Sequence, residues 1–139
     1  MIFKKKAMEI RRTADYIIVA TRKALIKHAE FIEELNRIQL SFGIRSDDTL
    51  LPSYSPVSVE AGKPPGRIKL FDQGEFYEGI NVSIFDDELR FEGEDEKTPM
   101  LISKYGRMIL GLNDKSLQVL IDRIKPDIVR DVKQFYKRI

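Results

Sequence analysis

The chain has 139 residues, 42% of them apolar and 33% charged, with no Cys, no Trp and a single His. That length predicts one domain, with a core that removes roughly two thirds of the unfolded surface from water. The missing Cys exclude a disulfide scaffold, a Cys-ligated metal centre and a Cys nucleophile, and one His leaves no multi-His site or His-based triad.

Net charge is only +2, but it is unevenly spread. Residues 1–30 carry eight Lys/Arg against three acids, residues 71–98 ten acids against two bases, and residues 99–139 nine bases against four acids. Two basic ends around an acidic middle suit either ordinary solvated faces or head-to-tail charge complementarity between copies. No run of about 18 apolar residues predicts a membrane span. The opening MIFKKKAMEIRR lacks the apolar stretch of a secretory signal.

Residues 7–41 read as helix in two pieces. Met8, Ile10, Ala14, Ile17, Ile18, Ala24, Leu25, Phe31, Ile32, Leu35 and Ile38 recur at three- and four-residue steps, predicting one buried stripe. The β-branched run around Ile17–Val19 places a break near residues 20–22, with Thr21 as the cap of the second piece. Gly43 suits the helix stop, because glycine takes the left-handed C′ conformation cheaply.

Residues 43–67 read as an extended, Pro/Gly-rich loop or arm. Arg45 to Asp48 signals a turn between Ile44 and Leu50. Pro52, Pro56, Pro64 and Pro65, with Gly62 and Gly66, then favour an extended surface segment.

Residues 68–112 read as an antiparallel sheet of about three to five strands with a short helix. Ile68 and Leu70, then Ile80, Val82 and Ile84, then Leu89 and Phe91 alternate at period two. Asp86-Asp87 predicts the tight turn between the last two strands. Thr98-Pro99 opens a short helix that Gly106 stops, and Gly106 and Gly111 read as structural turns.

Residues 114–139 read as the C-terminal helix, capped by Asn113, with Leu117, Leu120, Ile121, Ile124, Ile128, Val132, Phe135 and Ile139 as its apolar stripe. Pro126 predicts a kink or split near Lys125. The fold class expected is α+β, in a single domain over residues 1–139.

Candidate chemistry is sparse. His28 reads as a structural histidine, and the acidic run from Glu92 to Glu96 lacks the alternating ligand spacing of a calcium loop. No catalytic set, cofactor motif or metal-ligand pattern emerges, so the expectation is a protein that is not an enzyme. Two segments stand out instead. Asp72 can cap a helical turn, Gly74 permits a close approach or an unusual backbone angle, and Phe76 and Tyr77 place two aromatic surfaces beside it. The second segment, Ile109-Leu110-Gly111-Leu112, lies just before the last helix. Lys4, Lys5, Lys6, Arg11 and Arg12 make a basic patch on the first helix, the footprint a nucleic-acid-binding or regulatory module would use.

The order of these features resembles the tail-completion, or virion-morphogenesis, proteins that sit in the neck of tailed bacteriophages. The match rests on Asp72, Gly74 and Phe76 followed by an apolar strand, and on Ile109, Leu110, Gly111 and Leu112 before the final helix. Gln73 stands where the family usually has Thr. The resemblance implies a structural virion protein, assembled in the host cytoplasm. It would form a homo-oligomeric ring of six or twelve copies that joins portal or adaptor proteins to the tail. It implies no cofactor, no membrane, and only incidental contact with nucleic acid. The expected assembly surface then comprises Pro52, Tyr54, Pro56, Pro64, Pro65, Asp72, Gly74, Phe76 and Tyr77.

Overall fold

The computed structural model describes residues 2–63, 66–72, 74–85 and 88–138, without the side chains of Ile2 and Phe3. Pro64, Pro65, Gln73 and the Asp86-Asp87 turn lie outside the described residues.

Helix α1 spans Ile2–Lys27 and α2 spans Ala29–Ser41, with the break at His28. The break predicted at residues 20–22 does not occur. Thr21 stays inside α1, where its hydroxyl donates to the Ile17 carbonyl at 2.7 Å instead of capping a new helix. At the far end α2 closes as predicted at Gly43, whose φ is +70°. The Gly43 N–H donates to the Leu40 carbonyl and the Ile44 N–H to the Gln39 carbonyl, the paired bonds of a Schellman motif.

The last helix of the chain, α6, spans Asp114–Arg138 and lies antiparallel to α1. Tyr16 stacks on Phe135 with ring centroids 4.2 Å apart, Lys23 meets Asp131 at 3.8 Å, and His28 meets Asp127 at 2.8 Å. Thr13 of α1 is level with Tyr136 near the end of α6. The two helices therefore form a stalk, with the basic residues of α1 at its free end. The Asn113 side chain caps α6 as expected, accepting the Ser116 N–H at 2.9 Å. Contrary to expectation α6 is not split at Pro126. Ile124 on one side is buried in the core and Asp127 on the other is bonded to His28. Packing across the proline thus carries the helix past one missing hydrogen bond.

The sheet is smaller than predicted: two strands, not three to five, among the described residues. β1 (Ile80–Ile84) pairs antiparallel with β2 (Leu89–Gly93), Val82 opposite Phe91. Residues 68–71 do not become a strand. Leu70 has φ +59°, a left-handed conformation that breaks the alternation, and pairing there is limited to an isolated Ser53–Arg67 bridge.

The described residues of 53–67 form a surface loop around a short helix, not an extended arm. Ser55 caps a short helix, α3 (Pro56–Glu60), its hydroxyl accepting the Ser58 N–H at 3.2 Å. The base of the loop is closed, because the Tyr54 N–H donates to the Gly66 carbonyl and the Ile68 N–H to the Pro52 carbonyl. Helices α4 (Glu75–Glu78) and α5 (Thr98–Tyr105) and a 3-10 turn (Arg107–Ile109) complete the head.

The core has two clusters. Ala24, Ile32, Leu35, Leu112, Leu120 and Ile124 join α1, α2 and α6, while Leu40, Leu51, Phe76, Ile80, Ile109 and Leu110 fill the head. Phe91 touches both. Several residues of the predicted apolar stripes are not in it. Met8, Ile10, Ile17 and Ile18 of α1 are exposed, because α6 packs on the neighbouring face of that helix, where it meets Thr13 and Tyr16 and where Ala20 and Ala24 are buried; Ile38 of α2 and Ile121 of α6 are exposed as well. Among the described residues no helix is long and apolar enough to cross a membrane.

Candidate assembly surface

The structure brings four of the expected interface residues to one groove. Pro52 and Tyr54 from the closed loop face Asp72 and Phe76, with Met100, Leu101 and Tyr105 of α5 as the opposite wall, around a volume of about 530 Å³. Asp72 does not cap a helix, as the sequence suggested; Gly74, with φ +91°, is the N-cap residue of α4. The Asp72 carboxylate instead sits between Lys63 at 3.7 Å and Lys97 at 3.9 Å. It thereby bridges the loop to the start of α5 at the groove mouth, through exposed ion pairs of small energetic value.

Gly74 is favoured by its left-handed angle. A Cβ there would lie 3.3 Å from the Phe71 ring, which in turn meets Tyr77 edge-on at 5.1 Å. The Tyr77 hydroxyl donates to the Lys69 carbonyl at 2.6 Å, and burial pushes its ionisation well above the usual phenol range. Pro56 is exposed at the start of α3 and does not line the groove. Pro64 and Pro65, also expected in this surface, lie outside the described residues.

Gly106, with φ +91°, separates α5 from the 3-10 turn. Gly111, with φ +117°, packs so that a Cβ would lie 3.3 Å from the Ser46 side chain. The Gly-Leu segment around it is held by residues that sequence reasoning missed. Asn36 of α2 donates to the Ile109 carbonyl at 3.1 Å and accepts the Gly111 N–H at 3.0 Å. Gln39, one turn on, donates to the Gly111 carbonyl at 3.0 Å and accepts the Asn113 N–H at 2.8 Å. Two side-chain amides thus serve residues 109–113 as a neighbouring strand would. The available signal was two amides, Asn36 and Gln39, interleaved with Leu35 and Leu40 on the buried face of a helix.

Two more residues of α2 guard the outer edge of β1. The Val82 N–H donates to Glu33 at 3.0 Å, and Arg37 donates to the carbonyls of Tyr77 at 2.7 Å and Ile80 at 3.2 Å. The edge that could pair with another chain is therefore already occupied on that side.

Lys4, Lys5, Lys6, Arg11 and Arg12 are all exposed on α1. Beside them lies an apolar face with no partner among the described residues. Ile10 is 71% exposed, Ile17 42% and Ile18 52%. His28 holds Asp127 at the junction of α1 and α2, and Asp95 closes the turn before α5 by accepting the Lys97 N–H at 3.0 Å. Among the described residues no three His, Asp or Glu side chains converge as a metal site would require. No family model, curated protein or solved structure matches this chain.

Proposed function

We propose that this chain is a self-assembling structural subunit, and that it forms a ring in the neck of a tailed bacteriophage, joining portal or adaptor to tail. The observation that supports assembly is the bare apolar face of α1, since a helix that is apolar beyond the face its own chain covers has a further surface to bury. The placement in a phage neck rests on the residues quoted above, Asp72, Gly74, Phe76 and the segment from Ile109 to Leu112. In this reading the groove lined by Pro52, Tyr54, Asp72 and Phe76 is a second contact surface, open to a neighbouring virion protein.

The test is the state of the purified full chain at its highest soluble concentration. Light scattering and negative-stain electron microscopy should find closed rings of one copy number, six or twelve. A monomer under those conditions overturns the assembly reading. Sequencing the DNA around the gene tests the placement, with portal, capsid and tail genes expected on either side.

A second reading draws on the basic residues at the free end of the stalk, which would suit a module that binds nucleic acid. Binding to duplex DNA that falls steeply as salt rises, in a chain that stays monomeric, would favour it.

A further inference from the structure

Helix α1 carries two seams, and the described residues of its own chain fill only one. The first, through Thr13, Tyr16, Ala20 and Ala24, is taken by α6. The second runs through Ala7, Ile10, Ala14 and Ile17, with Ile18 beside it. Its steps of three, four and three are those of coiled-coil core positions, and its alanines let a neighbour approach closely. The same steps continue to Thr21 and Ala24, where the seam enters the core beside Leu25 and Val82. Toward the free end it is bare.

Charge decides what can cover it. The stalk, residues 2–23 and 128–138, holds eleven Lys/Arg against three acids, whereas the rest of the chain holds thirteen against nineteen. Two stalks laid side by side would bring like charge to like charge around a seam flanked by Arg11 and Lys6. A stalk laid on a head brings opposite charges together, which favours that pairing and speeds the encounter. The head has acids to spare: Glu92, Glu94 and Glu96 are exposed and have no ion-pair partner among the described residues.

We infer that the bare seam of α1 docks on the acid-rich head of a second copy of this chain. The contact is then heterologous, running head to tail. Each copy keeps a free stalk or a free head for the next, so the contact repeats until it closes as a ring. This inference rests on the self-assembly reading above and adds which two surfaces meet.

Two variants test it. One blunts the stalk, Ile10→Gln with Ile17→Gln and Ile18→Gln; the other reverses the head, Glu92→Lys with Glu94→Lys and Glu96→Lys. All six positions are exposed, so circular dichroism should show unchanged helix content and melting. An independent stalk variant, Arg11→Glu with Arg12→Glu, changes charge alone and should behave as the first does. By light scattering each variant alone should be monomeric. Mixed in equal amounts, stalk and head variants should form a one-to-one dimer and nothing larger, since one intact stalk meets one intact head. That dimer should dissociate in high salt.

If the head variant alone keeps the wild-type oligomer, or the mixture stays monomeric while wild type assembles, the head-to-tail contact is wrong and the assembly reading stands. Wild type that never assembles overturns both.

Discussion

Asn36 and Gly111 stand to each other as paired strand residues do, although one is a helical side chain and the other a backbone. The Asn36 oxygen accepts the Gly111 N–H at 3.0 Å while its nitrogen donates to the carbonyl two residues earlier, at Ile109. Asn36 is fully buried, so both bonds are shielded from water. Replacing it by Leu keeps the volume but leaves an N–H and a carbonyl without partners. The expected loss is about 2–6 kcal/mol, at about 1–3 kcal/mol for each orphaned group. Urea denaturation should show a lower midpoint with an unchanged slope. Because Gln39 serves the other half of the same segment, Asn36→Leu and Gln39→Leu together should depart from additivity.

Gly93 and Thr98 make an opposed pair of predictions. A Cβ at Gly93 would lie 2.6 Å from the Thr98 hydroxyl oxygen and 2.7 Å from its methyl group. Thr98 is short and buried and has no room to yield, so Gly93→Ala should destabilise by about 1–3 kcal/mol through overpacking. The Thr98 hydroxyl itself has no hydrogen-bond partner among the described residues. Thr98→Val removes that oxygen at nearly constant shape and should stabilise by about 1 kcal/mol. Thermal melts of both variants check the two signs, and a Thr98→Val variant that melts lower than wild type would show that the hydroxyl is satisfied.

Much of this fold was legible from local chemistry. The stop at Gly43, the Asn113 cap, the helix after Pro99 and the two strands around residues 80–93 each depend on residues close together in the chain. What failed depended on partners far away. Apolar periodicity marked Ile10, Ile17 and Ala24 alike, because it cannot tell which of two apolar faces α6 will cover. Alternation marked Ile68 and Leu70 as a strand, because nothing local announces a leucine in a left-handed conformation. The polar anchors Asn36 and Gln39 show locally only as two amides on an apolar helix face, since the backbone they hold is more than 70 residues away.

The outer edge of β1 is closed by Glu33 and Arg37, and each makes a different prediction. Glu33→Leu removes the acceptor for the Val82 N–H, so that amide should exchange with deuterium faster than in wild type while β1–β2 amides keep their protection. Arg37 uses two nitrogens of its fork on the Tyr77 and Ile80 carbonyls. Lys has no such fork, so Arg37→Lys should lose most of what Arg37→Met loses, about 1.5–3 kcal/mol. Full stability in Arg37→Lys would show that charge alone matters at this edge.

Asp127 links acid stability to the junction of α1 and α2. The hydrogen bond from the His28 ring at 2.8 Å holds its carboxyl below the usual range against the opposing effect of burial, and Lys27 at 3.3 Å and Arg130 add to the depression. A carboxyl depressed on folding contributes stability that is present above its unfolded value, about pH 3.9, and is lost as pH falls through the lower folded value. The melting temperatures of wild type and Asp127→Asn should therefore differ at about pH 5 and converge as pH falls below about 4. In His28→Ala the Asp127 carboxyl should titrate higher than in wild type when followed by NMR, because its leading stabiliser is gone. A gap that persists unchanged into strong acid would mean that Asp127 acts through its shape at the junction and not through its charge.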